Sequence, residues 1–248
     1  MRLIKSLHKW LSVFVALQLL IWLGSGLFFN LMDHSKARGN EYRIKPIEAA
    51  VIEHNRLLAP STILKQLELK HSEHKQPMQE VNSIKIIELL GKPYYLLNHH
   101  QALYQHFYNE HSLINAYTGE QKVIDDDMAQ AIASDTYSGT GAISSTIRVL
   151  PPIDDFLKEQ NTVWQVNFDD ELNTSIYLDA SSGRLVGHSN DDKRFADFFF
   201  MLHFMDYGSV GSFNNWQIMF FALLTLVFCL SGVIWVVELL SKGRYQRA

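Results

Sequence analysis

Histidine is the residue type in this chain best suited to chemistry, and its placement is uneven. There are eleven. Three sit at the edges of long uncharged stretches: His8 near the start of the first, His34 just past its end, and His203 shortly before the second. Polar rings at membrane depth are uncommon and usually have a role. Six more, His71, His74, His99, His100, His106 and His111, fall in the polar middle of the chain. His71 and His74 are spaced to share one face of a helix. Zinc or copper would need three or four such ligands to converge. The spacing fixes no convergence, so solvated loop and strand histidines are the expectation, with a metal sensor as a minor alternative. Asp125–Asp127 and the pair Asp191 and Asp192 fit helix starts and turns better than calcium ligands. The single cysteine, Cys229, rules out an intrachain disulfide or a cysteine redox centre, and is expected to pack as a small apolar residue. No nucleophile elbow, phosphate-binding glycine loop, His-Glu-x-x-His or dinucleotide fingerprint occurs, which argues against an autonomous hydrolase or NAD enzyme.

The elements that must position these residues begin with two apolar runs. Lys9 and Asp33 bracket the first, and Asp206 and Glu238 the second. Each exceeds the roughly 20 residues a helix needs to cross a bilayer. The spans are drawn from Trp10 to Met32 and from Trp216 to Val237. The first is too long for a signal-peptide core and lacks an Ala-x-Ala site, so it reads as a retained anchor. Arg2, Lys5 and Lys9 precede it, and Lys242, Arg244 and Arg247 follow the second span. Both termini are therefore expected in the cytoplasm, with the middle outside, in the periplasm of a Gram-negative cell. Each span carries a small-residue notch, Gly24-Ser25-Gly26 in one and Ser231-Gly232 in the other, suited to a close-packed helix or a flat ligand. A third apolar piece, Phe195 to Met205, is too short to span and reads as an interfacial or partly re-entrant helix. About 1.5 Å per residue separates His8 from His34 by roughly 39 Å, too far to share one ligand.

The middle echoes itself. Ile114-Asn-Ala-Tyr-Thr-Gly119 matches Leu178-Asp-Ala-Ser-Ser-Gly183, a turn in which an Asx side chain bonds the backbone and glycine supplies a positive φ. Helices are expected at Pro46–Asn55, with proline at the first position, and from Asp125, with acids at the positive end of the helix dipole. Strands are expected at Ser83–Leu90, Pro93–Asn98, Ala102–Tyr108, Ser145–Leu150 and Val163–Phe168, and around each corner. The fold class is thus α+β: two transmembrane helices flanking an insert of two modules, each a helix followed by an antiparallel sheet. The segments are 1–33, the first anchor; 34–124 and 125–192, the modules; 193–212, the interfacial helix and loop; and 213–248, the second anchor and tail. A net charge of −4 and no basic stripe exclude nucleic acid as a partner.

The run Tyr177-Leu-Asp-Ala-Ser-Ser-Gly-Arg-Leu-Val-Gly187 resembles the corner of a PepSY domain. Leu7-His8-Lys9-Trp10-Leu11, and Leu202-His203-Phe204 leading through glycines to Leu230-Ser-Gly-Val-Ile-Trp235, resemble the PepSY-associated transmembrane family. Relatives with four spans include inner-membrane reductases of iron–siderophore complexes that carry b-type haem between the spans. The resemblance implies haem b as cofactor, with His8 and His203 as ligands to its iron; His34, by its place just past the outer end of the first span and within reach of His203, is a further cofactor-binding candidate. It implies electron transfer across the inner membrane to a periplasmic acceptor, such as an iron chelate. Two spans are fewer than those relatives use, so a homo-oligomer or a partner membrane subunit is expected to complete the bundle. The alternative is a non-catalytic accessory protein whose PepSY-like modules bind a periplasmic protein.

Overall fold

A computed structural model of the 248-residue chain describes residues 2–44, 52–73, 79–208 and 214–243. The chain forms two compact units, one from residues 1–33 with 195–248, the other from residues 34–194.

The first unit is helical. α1 runs Arg2–Leu31 and α5 runs Trp216–Ser241, so both extend beyond the spans drawn from hydropathy. The polar ends Arg2–Lys9 and Glu238–Ser241 join the helices because nothing there breaks the backbone pattern; the apolar run marks the lipid-length core, not the helix. α5 starts at Asn215, whose side chain accepts from Ile218 N, as an N-cap should. α1 and α5 are antiparallel. Trp22 packs edge-on to Phe221 at 5.4 Å, and Lys5 lies 3.9 Å from Glu238 at the other end. Only 17% and 11% of their most apolar windows are buried. Soluble core helices of that hydropathy would be covered, whereas here leucines and valines line the outside. Cys229 is a free cysteine among the exposed residues of α5.

α4 runs Asp191–Phe204, starting four residues before the apolar piece, with Asp191 and Asp192 in its first turn. Asn190 caps it, accepting from Lys193 N at 2.9 Å. From Phe195 onward it lies antiparallel to α1: Phe28 stacks on Phe199 at 4.0 Å and Phe29 on Phe200 at 4.5 Å. Its C-terminal carbonyls are met by side chains, Phe204 O by Asn215 Nδ2 at 2.9 Å and Leu202 O by the buried Gln18 Nε2 at 3.5 Å. A helix end away from water needs such partners.

The second unit holds two four-stranded antiparallel meanders. The first is β1 Ser83–Leu89, β2 Lys92–His100, β3 Glu110–Asn115 and β4 Gln121–Lys122. The second is β5 Ala142–Val149, β6 Val163–Asp169, β7 Ser175–Asp179 and β8 Leu185–Ser189. α2, Pro60–Glu73, precedes the first and α3, Asp126–Asp135, the second. The first sheet is buried on both faces, as strand alternation permits. Tyr95, Leu97 and Ile114 meet Ile63 and Leu67 of α2, while Tyr94 and Leu113 meet Met128, Ile132 and Ala133 of α3. Val166, Ile176 and Leu178 of the second sheet reach the same α3 core.

Both echoed corners form alike. Asn115 Oδ1 accepts from Tyr117 N and Thr118 N, Asp179 Oδ1 from Ser181 N and Ser182 N, and Gly119 and Gly183 have φ of 76° and 70°. Residues 46–51 of the first expected helix lie outside the described residues. His54–Arg56 is a single 3-10 turn, and the α-helix preceding the sheet is α2, with Pro60 at its first position. Ala102–Tyr108 is not a strand. Its carbonyls are taken by buried amides instead: Asn109 Nδ2 donates to Tyr104 O and Phe107 O, and Asn161 Nδ2 to Gln105 O and Phe107 O.

Candidate functional site

Two histidines from different helices occupy the two small-residue notches. His203, near the end of α4, bonds through Nδ1 to Ser25 Oγ of α1 at 2.8 Å. His8, near the start of α1, bonds through Nδ1 to Ser231 Oγ of α5 at 2.9 Å. Both serines are buried. The glycine following each serine leaves room for the ring. A Cβ at Gly232 would lie 3.0 Å from His8 Cε1, and one at Gly26 3.9 Å from His203 Cε1. The notches are therefore ring sockets, and the small residues admit an imidazole from a neighbouring helix.

Each ring has aromatic company. His8 stacks on Phe228 at 4.5 Å and stands edge-on to Trp235 at 5.6 Å. His203 meets Phe29 and Phe204 edge-on at 5.3 and 5.2 Å. Among the described residues, Nε2 of neither ring has a hydrogen-bond partner. Measured along α1, His8 and Ser25 are 17 residues apart, so the two sockets are separated by about 26 Å. One flat ligand cannot bridge them. His34 is exposed in the turn that opens the second unit.

The insert histidines are dispersed. His99 bonds Glu80 O and Ser112 Oγ, and His111 bonds Ser181 Oγ at 3.1 Å. Burial lowers the His111 pKa from its ordinary value, against the opposing pull of the Asp179 charge. His106 stacks on Tyr104, and His100 lies 5.7 Å from Tyr108. His74 and the side chain of His71 lie outside the described residues. Among the described residues no three metal-ligating side chains converge. His188, which its sequence context did not single out, is the most buried histidine among the described residues: its Nε2 bonds Thr136 Oγ1 at 3.0 Å, and burial followed by the Arg43 charge brings its pKa down to about 4. It sits in the second unit, where its bond ties β8 to the end of α3.

Serine partners for the two rings were not foreseen. The signal was present in part, since each notch is a serine beside glycine, but nothing in local sequence says which side chain from elsewhere will enter.

Haem b was implied for His8 and His203, and their surroundings fit an axial ligand at each socket. One ring nitrogen is held and the other is left without a partner, as metal-bound histidines require. Trp235 Nε1 and Trp22 Nε1 are buried donors without a partner in the same helical unit. Each socket supplies a single imidazole.

Two outward-apolar helices, with histidines hydrogen-bonded between helices and an α+β insert, define a membrane-anchored protein with a folded head. The profile of the PepSY-associated TM region matches residues 1–238, and the chain belongs to that family. No curated protein and no solved structure matches it.

Proposed function

We propose that this protein is a haem-binding component of transmembrane electron transfer, with His203 and His8 each supplying one axial ligand. The observation that carries this reading is the twice-repeated arrangement: a histidine seated in a serine–glycine notch, Nδ1 bonded, Nε2 without a partner. Haem bound there would supply one-electron transfer. The chain's own part is to hold each imidazole at a fixed depth, to wall it with Phe228, Phe29 and Phe204, and to exclude water. Since each socket offers one imidazole, any further ligand would come from another copy of the chain or a partner subunit. Lys and Arg at both ends favour cytoplasmic termini and a periplasmic head in the bacterial inner membrane. The acceptor would dock on that head, an iron chelate being the class the resemblance implies. His34 is a weaker ligand candidate: it is exposed, and among the described residues no hydrogen bond orients its ring.

The test is an absorption spectrum. Protein purified in detergent from haem-replete cells should show a Soret band that moves on reduction. His203→Ala and His8→Ala should each remove part of it, and His111→Ala none. A colourless preparation refutes the reading.

A second reading has its own observation. Both rings already make interhelical hydrogen bonds, which is all a packing role needs. An accessory protein whose head binds a periplasmic partner would co-purify with that partner in stoichiometric amount and carry no chromophore.

A further inference from the structure

The hydroxyl of each socket serine has a second contact. Ser25 Oγ lies 2.7 Å from Ile21 O, and Ser231 Oγ 2.7 Å from Phe228 O, each carbonyl on the serine's own helix. Two oxygens at that distance with no proton between them repel. The hydroxyl hydrogen must therefore lie on the line to the carbonyl, which can only accept. Oγ is then left with lone pairs towards the ring. A contact of 2.8 or 2.9 Å between Oγ and Nδ1 needs a hydrogen as well, and only Nδ1 can provide it. Each ring is thus protonated at Nδ1. A second proton on Nε2 would have no acceptor among the described residues, at a depth where an unpaired donor is costly.

We propose that Ser25 and Ser231 are positioning residues: by giving their own hydrogens to the helix backbone they fix the tautomer of His203 and His8, so that each presents a bare Nε2 lone pair to a metal-centred cofactor. The identity of that cofactor rests on the haem reading, but the tautomer does not. Two independent helix pairs reach the same arrangement, with the carbonyl four residues back in one and three back in the other. The Asp179 corner uses the same relay, where Ser181 Oγ donates to Asp179 Oδ1 at 2.7 Å and accepts from His111 Nδ1. Two other hydroxyl–histidine contacts engage Nε2 instead. The Thr136 hydroxyl receives the Nε2 side of His188, and Ser112 the Nε2 side of His99. Among the described residues, His8 and His203 combine a serine on Nδ1 with an unpartnered Nε2 between two helices, and His111 shows the same combination in the second unit.

The experiment is nitrogen-15 NMR of histidine-labelled full-length protein in lipid nanodiscs, prepared from cells starved of haem precursors. His8→Gln and His203→Gln variants assign the two rings. In the unsubstituted chain both rings should show protonated Nδ1 and bare Nε2. Ser25→Ala should move only the His203 ring towards a tautomer mixture, and Ser231→Ala only the His8 ring. Either ring found with its proton on Nε2 in the unsubstituted chain overturns the proposal, with no dependence on how a variant folds. Insensitivity of both rings to their serines overturns it too. On reconstitution with haem, each Ser→Ala variant should lose about 10- to 100-fold in affinity at its own socket, the usual effect of removing a ligand's hydrogen-bond partner. It should also raise the midpoint potential, since a less basic imidazole favours the ferric state less. Bare Nε2 nitrogens in a protein that never takes up haem would sink the haem reading and leave the serine assignment standing. Haem uptake with the opposite tautomer in the apoprotein would do the reverse.

Discussion

Adding one methyl group at three glycines of the spans should have three different effects, graded by what each Cβ would meet. At Gly24 there is nothing within 4 Å; at Gly26 His203 Cε1 lies at 3.9 Å, ordinary contact; at Gly232 His8 Cε1 lies at 3.0 Å. Alanine in a helix is favoured over glycine by up to about 1 kcal/mol, so Gly24→Ala should stabilise by several tenths or more. Gly26→Ala should be neutral to mildly stabilising. Gly232→Ala must push the His8 ring out by roughly 0.5–1 Å to reach normal carbon–carbon separation. That movement stretches the 2.9 Å bond to Ser231 towards its limit and disturbs the stack on Phe228. A lost hydrogen bond costs about 1 kcal/mol and overpacking about 1–3 kcal/mol. After the propensity gain, a net loss of about 2 kcal/mol remains, roughly thirtyfold in the folded-to-unfolded ratio. The assay is unfolding in mixed detergent micelles followed by tryptophan fluorescence, with Trp235 beside the ring as reporter. The haem content of the same preparations gives a second readout, expected to fall for Gly232→Ala alone. If Gly232→Ala is as stable as Gly24→Ala, the ring is not in the notch and the socket argument fails.

The other expectations concern the head. Folding keeps His188 uncharged, its pKa brought from 6.5 to about 4 by burial and Arg43. Below pH 6.5 the unfolded chain takes up a proton that the folded chain refuses, so stability is full above that pH and falls as pH drops towards 4, by at most about 3 kcal/mol. Urea midpoints at pH 7 and pH 5 should differ accordingly, and His188→Gln should flatten that difference. The buried Asp179 accepts four bonds from Ser181 and Ser182, where Asn115 accepts two, so Asp179→Ala should cost about 2–4 kcal/mol and Asn115→Ala about 1 kcal/mol, with equal costs contradicting the corner geometry. Asp125→Ala removes the α3 N-cap that accepts from Met128 N at 3.0 Å and should lower stability by about 1 kcal/mol, visible in denaturant titration.

What sequence made legible was mostly local. The two corners carried their own chemistry in an Asx residue, small polar residues and a glycine, and both form as expected. Asp125 announced α3 for the same reason, because a cap and its helix are within three residues of each other. Ala102–Tyr108 misled because it is rich in the apolar and aromatic residues that strands favour. What decides its shape is Asn161, more than fifty residues away, whose amide takes Gln105 O and Phe107 O out of any ladder. The spans were legible from length and hydropathy, and the notches from composition. The occupants of the notches were not, since sequence spacing measures distance along one chain segment and the rings arrive from another helix.

Depth did contain the missing clue. The Ser25 notch lies late in α1 and His203 lies just before α5 begins; the Ser231 notch lies late in α5 and His8 lies early in α1. Antiparallel helices place each histidine level with the other element's notch, and Trp22 on Phe221 with Lys5 near Glu238 fixes that register. The cost of the arrangement argues for use. Hydrogen bonds between membrane helices average only about 0.6 kcal/mol, because polar groups find partners in the unfolded helices as well. A leucine filling either socket would remove the need to hide an imidazole and a hydroxyl from lipid. Two sockets that each forgo apolar packing, and each leave the same ring nitrogen unpaired, are poorly explained by stability. The proposed cofactor would account for them, since it needs that nitrogen.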